Sequence, residues 1–137
     1  MDENPISKEI VDAAFKIHQA LGPGLLESVY EVTLAYELRK RGLDVERQAP
    51  VQLKYEELVF EEGYRLDLIV NDKVIVEVKS VDELGPIHKK QLLTYLKLRN
   101  KCLGLLINFN ENLIRDGITR IVNGLPETPK PPRNFVP

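Results

Sequence analysis

Hydrophobic positions along this chain change their period twice. Between Ser7 and Leu21 the apolar residues Ile10, Val11, Ala14 and Phe15, with His18 and Leu21 near the end, recur at three- and four-residue spacing. That spacing predicts an amphipathic helix with Ser7 as N-cap and Gly22-Pro23 as its stop. A second helix is predicted from Leu25 to Arg41, ending at Gly42, with Arg39-Lys40-Arg41 at the negative end of its dipole. From Leu43 the period falls to two. Val51, Leu53 and Tyr55, then Leu66, Leu68 and Val70, then Val74, Val76 and Val78 alternate with other residues, which predicts three or four strands. Pro86 opens a third helix, to about Asn100, where its missing N–H is not needed. The continuous apolar run Cys102 to Ile107 predicts a strand covered on both faces, and Ile118 to Val122 an edge strand. Helix, helix, strands, helix, strand is the order of an α/β fold, a central mixed sheet flanked by helices.

A chain of 137 residues suits one core. We expect a single domain over residues 1–123. The segment 124–137 holds Pro126, Pro129, Pro131, Pro132 and Pro137 and is expected to be an extended or disordered tail. With 43% hydrophobic and 29% charged residues, the composition excludes a disordered chain and a membrane protein. Lys and Arg number 19 against 21 Asp and Glu, a net charge of -2, so no global field draws the molecule onto nucleic acid and any basic surface must be local. Cys102 is the one cysteine and can form neither an internal disulfide nor a thiolate cage. The acidic start Met1-Asp2-Glu3 and the lack of a run near 20 apolar residues fit a cytoplasmic protein with no membrane partner.

Chemistry concentrates in Tyr64 to Val70 and Val74 to Lys79. A two-residue turn at Asn71-Asp72 would set the apolar residues of one strand against the charged residues of the other. A three-residue turn, Asn71 to Lys73, instead pairs Leu66, Leu68 and Val70 with Val78, Val76 and Val74 on one face. The other face then sets Asp67 opposite Glu77, Arg65 opposite Lys79 and Ile69 opposite Ile75. Facing carboxylates repel, and a divalent cation between them turns repulsion into attraction. The same face also reads as a solvated checkerboard, with Arg65 diagonal to Glu77 and Asp67 diagonal to Lys79.

Glu27 shares a helical sector with Leu34 and Leu38 that should face the sheet, where a carboxylate needs a partner or a cation. Alternatively, it is a first-turn acid favoured by the helix dipole. On the third helix His88, Gln91, Tyr95 and Arg99 fall on one arc. Between Pro86 and Lys101 the segment carries Lys89, Lys90, Lys97, Arg99 and Lys101 and no acid, the one local phosphate-attracting surface. Lys90, Lys97 and Lys101 share a separate face that also reads as simply solvated.

These segments together resemble the PD-(D/E)XK nuclease-like superfamily, and within it the GxxExxY group. Gly24-Leu25-Leu26-Glu27-Ser28-Val29-Tyr30 matches that signature, Asp67 is similar to the first strand acid, Glu77-Val78-Lys79 to the E-x-K element, and Gln91 with Tyr95 to a Q-x-x-x-Y helix. The run Gly104 to Phe109 is similar to the later strand, and the resemblance spans roughly Ile10 to Val122. One departure is Leu66, which stands where the name-giving proline would precede Asp67. The resemblance implies a restriction-endonuclease-like core (helix, three strands, helix, strand) and a Mg²⁺- or Mn²⁺-dependent nuclease acting on DNA or RNA. It implies Glu27, Asp67, Glu77 and the Val78 carbonyl as metal ligands, Lys79, Glu77, Asp67 and Gln91 as catalytic residues, and Tyr95, His88 and Arg99 as substrate contacts. A non-cleaving nucleic-acid-binding or assembly module on the same scaffold is the alternative. A net acidic chain of this size has little surface for gripping a duplex alone, so a homodimer or partner protein is expected to supply more.

Overall fold

Pro5 has no N–H to give, yet it lies inside the first helix of the computed structural model, which describes residues 1–125. Helix α1 (Glu3–Leu21) is preceded by Asp2 as N-cap, so Pro5 falls in the first turn, where N–H groups have no helical acceptor anyway. The helix therefore starts four residues before the predicted Ser7. Its inward face is Ile6, Ile10, Ala13, Ala14 and Ile17, whereas Phe15 of the predicted stripe is exposed. Helix α2 (Glu27–Lys40) follows, then β1 (Val45–Tyr55), β2 (Leu58–Val70), β3 (Val74–Lys79), α3 (Pro86–Arg99), β4 (Leu103–Asn108), a 3₁₀ turn (Ile114–Gly117) and β5 (Ile118–Val122).

The five strands form one mixed sheet in sequence order, antiparallel except for β3 and β4. The parallel pair requires a crossover, and α3 provides it. One face of the sheet packs on α1 and α2 through Leu68, Val70, Val76, Leu105 and Ile107; the other packs on α3 through Ile69, Ile75, Leu106, Leu92 and Leu96. Strand β4 is buried on both faces, as its unbroken apolar run predicts, and β5 is an edge. Leu125 packs into the α1–α2 core. The proline-rich segment from 126 onward lies outside the described residues.

The three-residue turn is present: β2 and β3 pair as Leu68↔Val76, Ile69↔Ile75 and Val70↔Val74. One expectation is corrected. Leu66 does not share a face with Leu68 and Val70; it packs in the α3 core. On β1 the pairs Arg47↔Leu68 and Ala49↔Leu66 leave Gln48 and Asp67 between them, and Gln48 takes a left-handed φ of 52°. Both strands switch their inside and outside faces at that one position, and Asp67 stands at the switch.

Candidate active site

The β2–β3 ladder ends at Leu68↔Val76, and carboxylates take over the next rungs. The Asp67 N–H donates to Glu77 Oε2 at 3.0 Å, and the Val78 N–H donates to Asp67 Oδ2 at 2.8 Å. Each acid thus satisfies a strand N–H of its neighbour and wedges the two strands apart. Asp67 Oδ1 and Glu77 Oε1 accept no hydrogen bond from the described residues and are not sealed from solvent. Among the described residues, neither acid is in an ion pair; Arg65 instead binds Glu62 at 2.8 Å, so the solvated checkerboard is not formed. Glu77 is only 7% exposed, which also rules out a solvated face.

Burial is the largest influence on both acids and pushes their proton affinity up. For Glu77 the next cause is repulsion from Asp67; for Asp67 the Val78 N–H opposes the rise and Glu31 adds to it. Lys79 is the positive charge that pulls both down, and it leaves β3 on the same face as Glu77, two residues away. Two crowded acids that resist ionisation present the hard oxygen atoms that could hold a divalent cation.

Glu27 is at the first residue of α2 and is exposed, so the expected place on a buried stripe is corrected. The stripe that faces the sheet is Tyr30, Leu34 and Leu38; one turn earlier the helix has run past the packed layer. Glu27 Oε2 accepts the Ser80 N–H at 3.3 Å, just beyond Lys79. Its carboxylate is near enough to raise Asp67. Its position is fixed by Tyr30, whose hydroxyl donates to the Gly22 carbonyl at 2.5 Å and accepts the Leu25 N–H at 3.1 Å, while the ring stacks on Phe109 at 4.5 Å. Gly24 in the turn held this way takes φ 98°, a conformation that favours glycine.

On α3, Tyr95 stacks on Tyr64 with centroids 4.0 Å apart, close enough to Glu77 and Asp67 that both oppose its ionisation after burial does. Gln91 is exposed on the flank of the helix. His88 Nδ1 accepts the Gly85 N–H at 3.1 Å and caps α3, and Arg99 donates to the Pro50 carbonyl at 3.1 Å.

Three residues at the site escaped the sequence reading. Glu31 is buried, receives Arg47 at 3.0 Å and Gln48 Nε2 on both oxygens at 3.0 Å, and raises both Asp67 and Glu77. The only signal for it was its i+4 spacing from Glu27. Tyr64 reads as an ordinary strand residue, but its buried hydroxyl has no hydrogen-bond partner among the described residues. Asn108, fully buried, grips Val81 by both its N–H (3.1 Å) and its carbonyl (2.9 Å) and so anchors the segment after Lys79. A polar residue closing an apolar strand run was its one mark.

A family model described as the PD-(D/E)XK nuclease superfamily matches residues 4–121. The chain belongs to that superfamily. The mixed sheet with flanking helices is its restriction-endonuclease-like core. No curated protein and no solved structure matches the chain. Superfamily members generally use divalent metals and act on nucleic acid. Among the described residues, no three His, Cys, Asp or Glu side chains converge into a ready-made cage, and no helix is long and apolar enough to cross a membrane.

Proposed function

We propose that the chain is a cytoplasmic nuclease of the GxxExxY group that hydrolyses phosphodiester bonds of DNA with Mg²⁺ or Mn²⁺. The observation that carries this reading is the Asp67–Glu77 pair, each acid spending one oxygen on a strand N–H and presenting the other beside Lys79. Asp67 and Glu77 would hold the cation, joined by the Val78 carbonyl, which leaves β3 on the same edge as the Val78 N–H. Glu27 joins them on releasing the Ser80 N–H. The bound cation supplies Lewis acidity toward a phosphate oxygen and the attacking water.

Lys79 donates a charged hydrogen bond to the phosphate oxygen that gains charge during attack. Gln91 orients Lys79, and Tyr95 donates its phenolic proton to a second phosphate oxygen, its ring fixed by Tyr64. His88 and Arg99 lie on the same helix arc and reach substrate only by leaving the Gly85 and Pro50 bonds.

Calorimetry and thermal denaturation test the cation site. Mn²⁺ is expected to raise the melting temperature of the wild type, worth about 2.7 kcal/mol at a hundredfold excess over Kd, and not that of Asp67→Ala. No heat and no shift at millimolar Mn²⁺ would contradict the proposal. That no third acid converges with Asp67 and Glu77 among the described residues favours one second reading, a non-cleaving nucleic-acid-binding module. In that case nucleic-acid binding survives Glu77→Gln and Lys79→Ala and falls steeply with salt.

A further inference from the structure

Strands β1 and β2 continue as a two-stranded arm past the last pair that α3 covers. Val51↔Tyr64 is that pair, and both residues pack in or against the α3 core. Beyond a bulge over residues 61–63 the register resumes as Leu53↔Phe60 and Tyr55↔Leu58. Opposed residues of an antiparallel pair share a face, as do alternate residues of one strand. Leu53, Phe60, Tyr55 and Leu58 therefore extend the same apolar surface that α3 packs on. Gly63 keeps the arm joined tightly, since a Cβ there would come 2.7 Å from Leu53 Cβ. No described residue covers the extension: Tyr55, Leu58 and Phe60 are 64%, 59% and 47% exposed.

Charge selects what fits it. Glu56 and Glu57 form the tip of the arm and, among the described residues, have no ion-pair partner; in the bulge Glu61 accepts Gln52 and Glu62 is paired with Arg65, so the acidic rim is the tip together with Glu61. An apolar face with an acidic rim repels a phosphate backbone. It suits a surface that is apolar and basic, and the outward side of α3 is one. Opposite the buried Leu92 and Leu96, that side carries Ile87 and Leu98, 59% and 44% exposed, flanked by Lys90 and Lys97, which make no ion pair with any described residue.

We propose that the arm seats the α3 helix of a second copy of this chain, each arm clasping the partner's helix. A copy turned over by a two-fold axis brings its α3 into the layer that the first α3 occupies, and places its own arm over the first α3. The contact is isologous and closes at two subunits. Burial of the two arm faces supplies the attraction; the glutamates against the lysines set the register. The surface shares no residue with Asp67, Glu77 and Lys79, so it stands independently of the proposed cleavage.

Sedimentation velocity on the full chain between about 1 and about 200 µM, a range that brackets a micromolar Kd, tests it. The wild type is expected to shift from monomer to dimer with concentration. Phe60→Ser is expected to abolish the shift, and the paired reversals E56K/E57K or K90E/K97E to weaken it at least about fivefold. All four reversals together are expected to restore it, with circular dichroism unchanged throughout. A wild type that stays monomeric, including one whose arm binds some other protein, would overturn the proposal. So would a dimer indifferent to Phe60→Ser, or reversals that fail to rescue one another while the fold is intact.

Discussion

Asp67 and Glu77 hold their protons more tightly in the folded protein than an exposed carboxylate does, because Glu77 is buried and Asp67 half-buried at its side. The folded state therefore binds more protons than the unfolded chain once pH passes the ordinary carboxylate range of roughly 4. Stability contributed by this pair is complete below that range and is lost as pH rises toward and through their elevated values. Melting temperature without divalent cation is expected to fall over that interval, and Glu77→Gln to flatten the fall; an unchanged slope in thermal melts of the variant would remove the pair as its source. Tyr30→Phe tests a different residue role. It keeps the stack on Phe109 but frees the Gly22 and Leu25 backbone groups, with an expected stability cost of about 1 kcal/mol in urea denaturation and a larger fractional loss of activity as Glu27 loses its seat. That Asp67 and Glu77 come side by side was legible because the turn length fixes which residues face each other across the hairpin. The face switch at Gln48 was not, since a left-handed φ there falls on a residue type that does not advertise it, unlike glycine or asparagine. Tyr64 and Glu31 were hidden for a related reason: a half-buried tyrosine and a helical glutamate look like core and surface until the neighbouring strand is placed.

At the scale of elements, the site depends on how α3 and the segment after β3 are fastened to β4. Gly104 lets Leu92 of α3 approach the sheet; a Cβ there would meet Leu92 Cδ1 at 2.9 Å. Gly104→Val is expected to cost about 1–3 kcal/mol in chemical denaturation, as overpacking does, and to displace the Tyr95 face of α3. Asn108→Leu leaves both polar groups of the Val81 backbone without a partner, with an expected cost of about 1–3 kcal/mol and faster amide exchange at Ser80 and Val81. Element order and type followed from the sequence because periods of 3.6 and 2 are set by geometry that tertiary packing rarely overrides in long segments. The observed start of α1 differs because Ser7 has the chemistry of an N-cap, whereas the helix begins at Glu3 and accommodates Pro5 in a first turn that has no use for its missing N–H. The wedge between β2 and β3 was also invisible, since a pairing rule continues a ladder wherever alternation continues, and only three-dimensional placement shows side chains replacing it.

For the whole molecule, the basic third helix offers less to nucleic acid than its sequence suggests. Lys101 is tied to Asp72 at 3.3 Å and Arg99 to the Pro50 carbonyl, while Lys79 is the cation that acts on both acids. With a net charge of -2, binding of a single chain to DNA is expected to be weak, its log Kd changing with log salt by a slope no steeper than about 3, the value for some three phosphate contacts. A clasped pair of chains presents two such sites and doubles the contacts available. Cleavage itself is tested most directly by incubating the purified chain with Mn²⁺ on linear, circular and single-stranded DNA, beside Lys79→Ala. Wild-type hydrolysis that requires Mn²⁺ and drops by at least about a hundredfold in Lys79→Ala, with the fold unchanged, is the expected result. No cleavage of any substrate by the wild type, or equal cleavage by Lys79→Ala, would contradict a nuclease built on Asp67, Glu77 and Lys79.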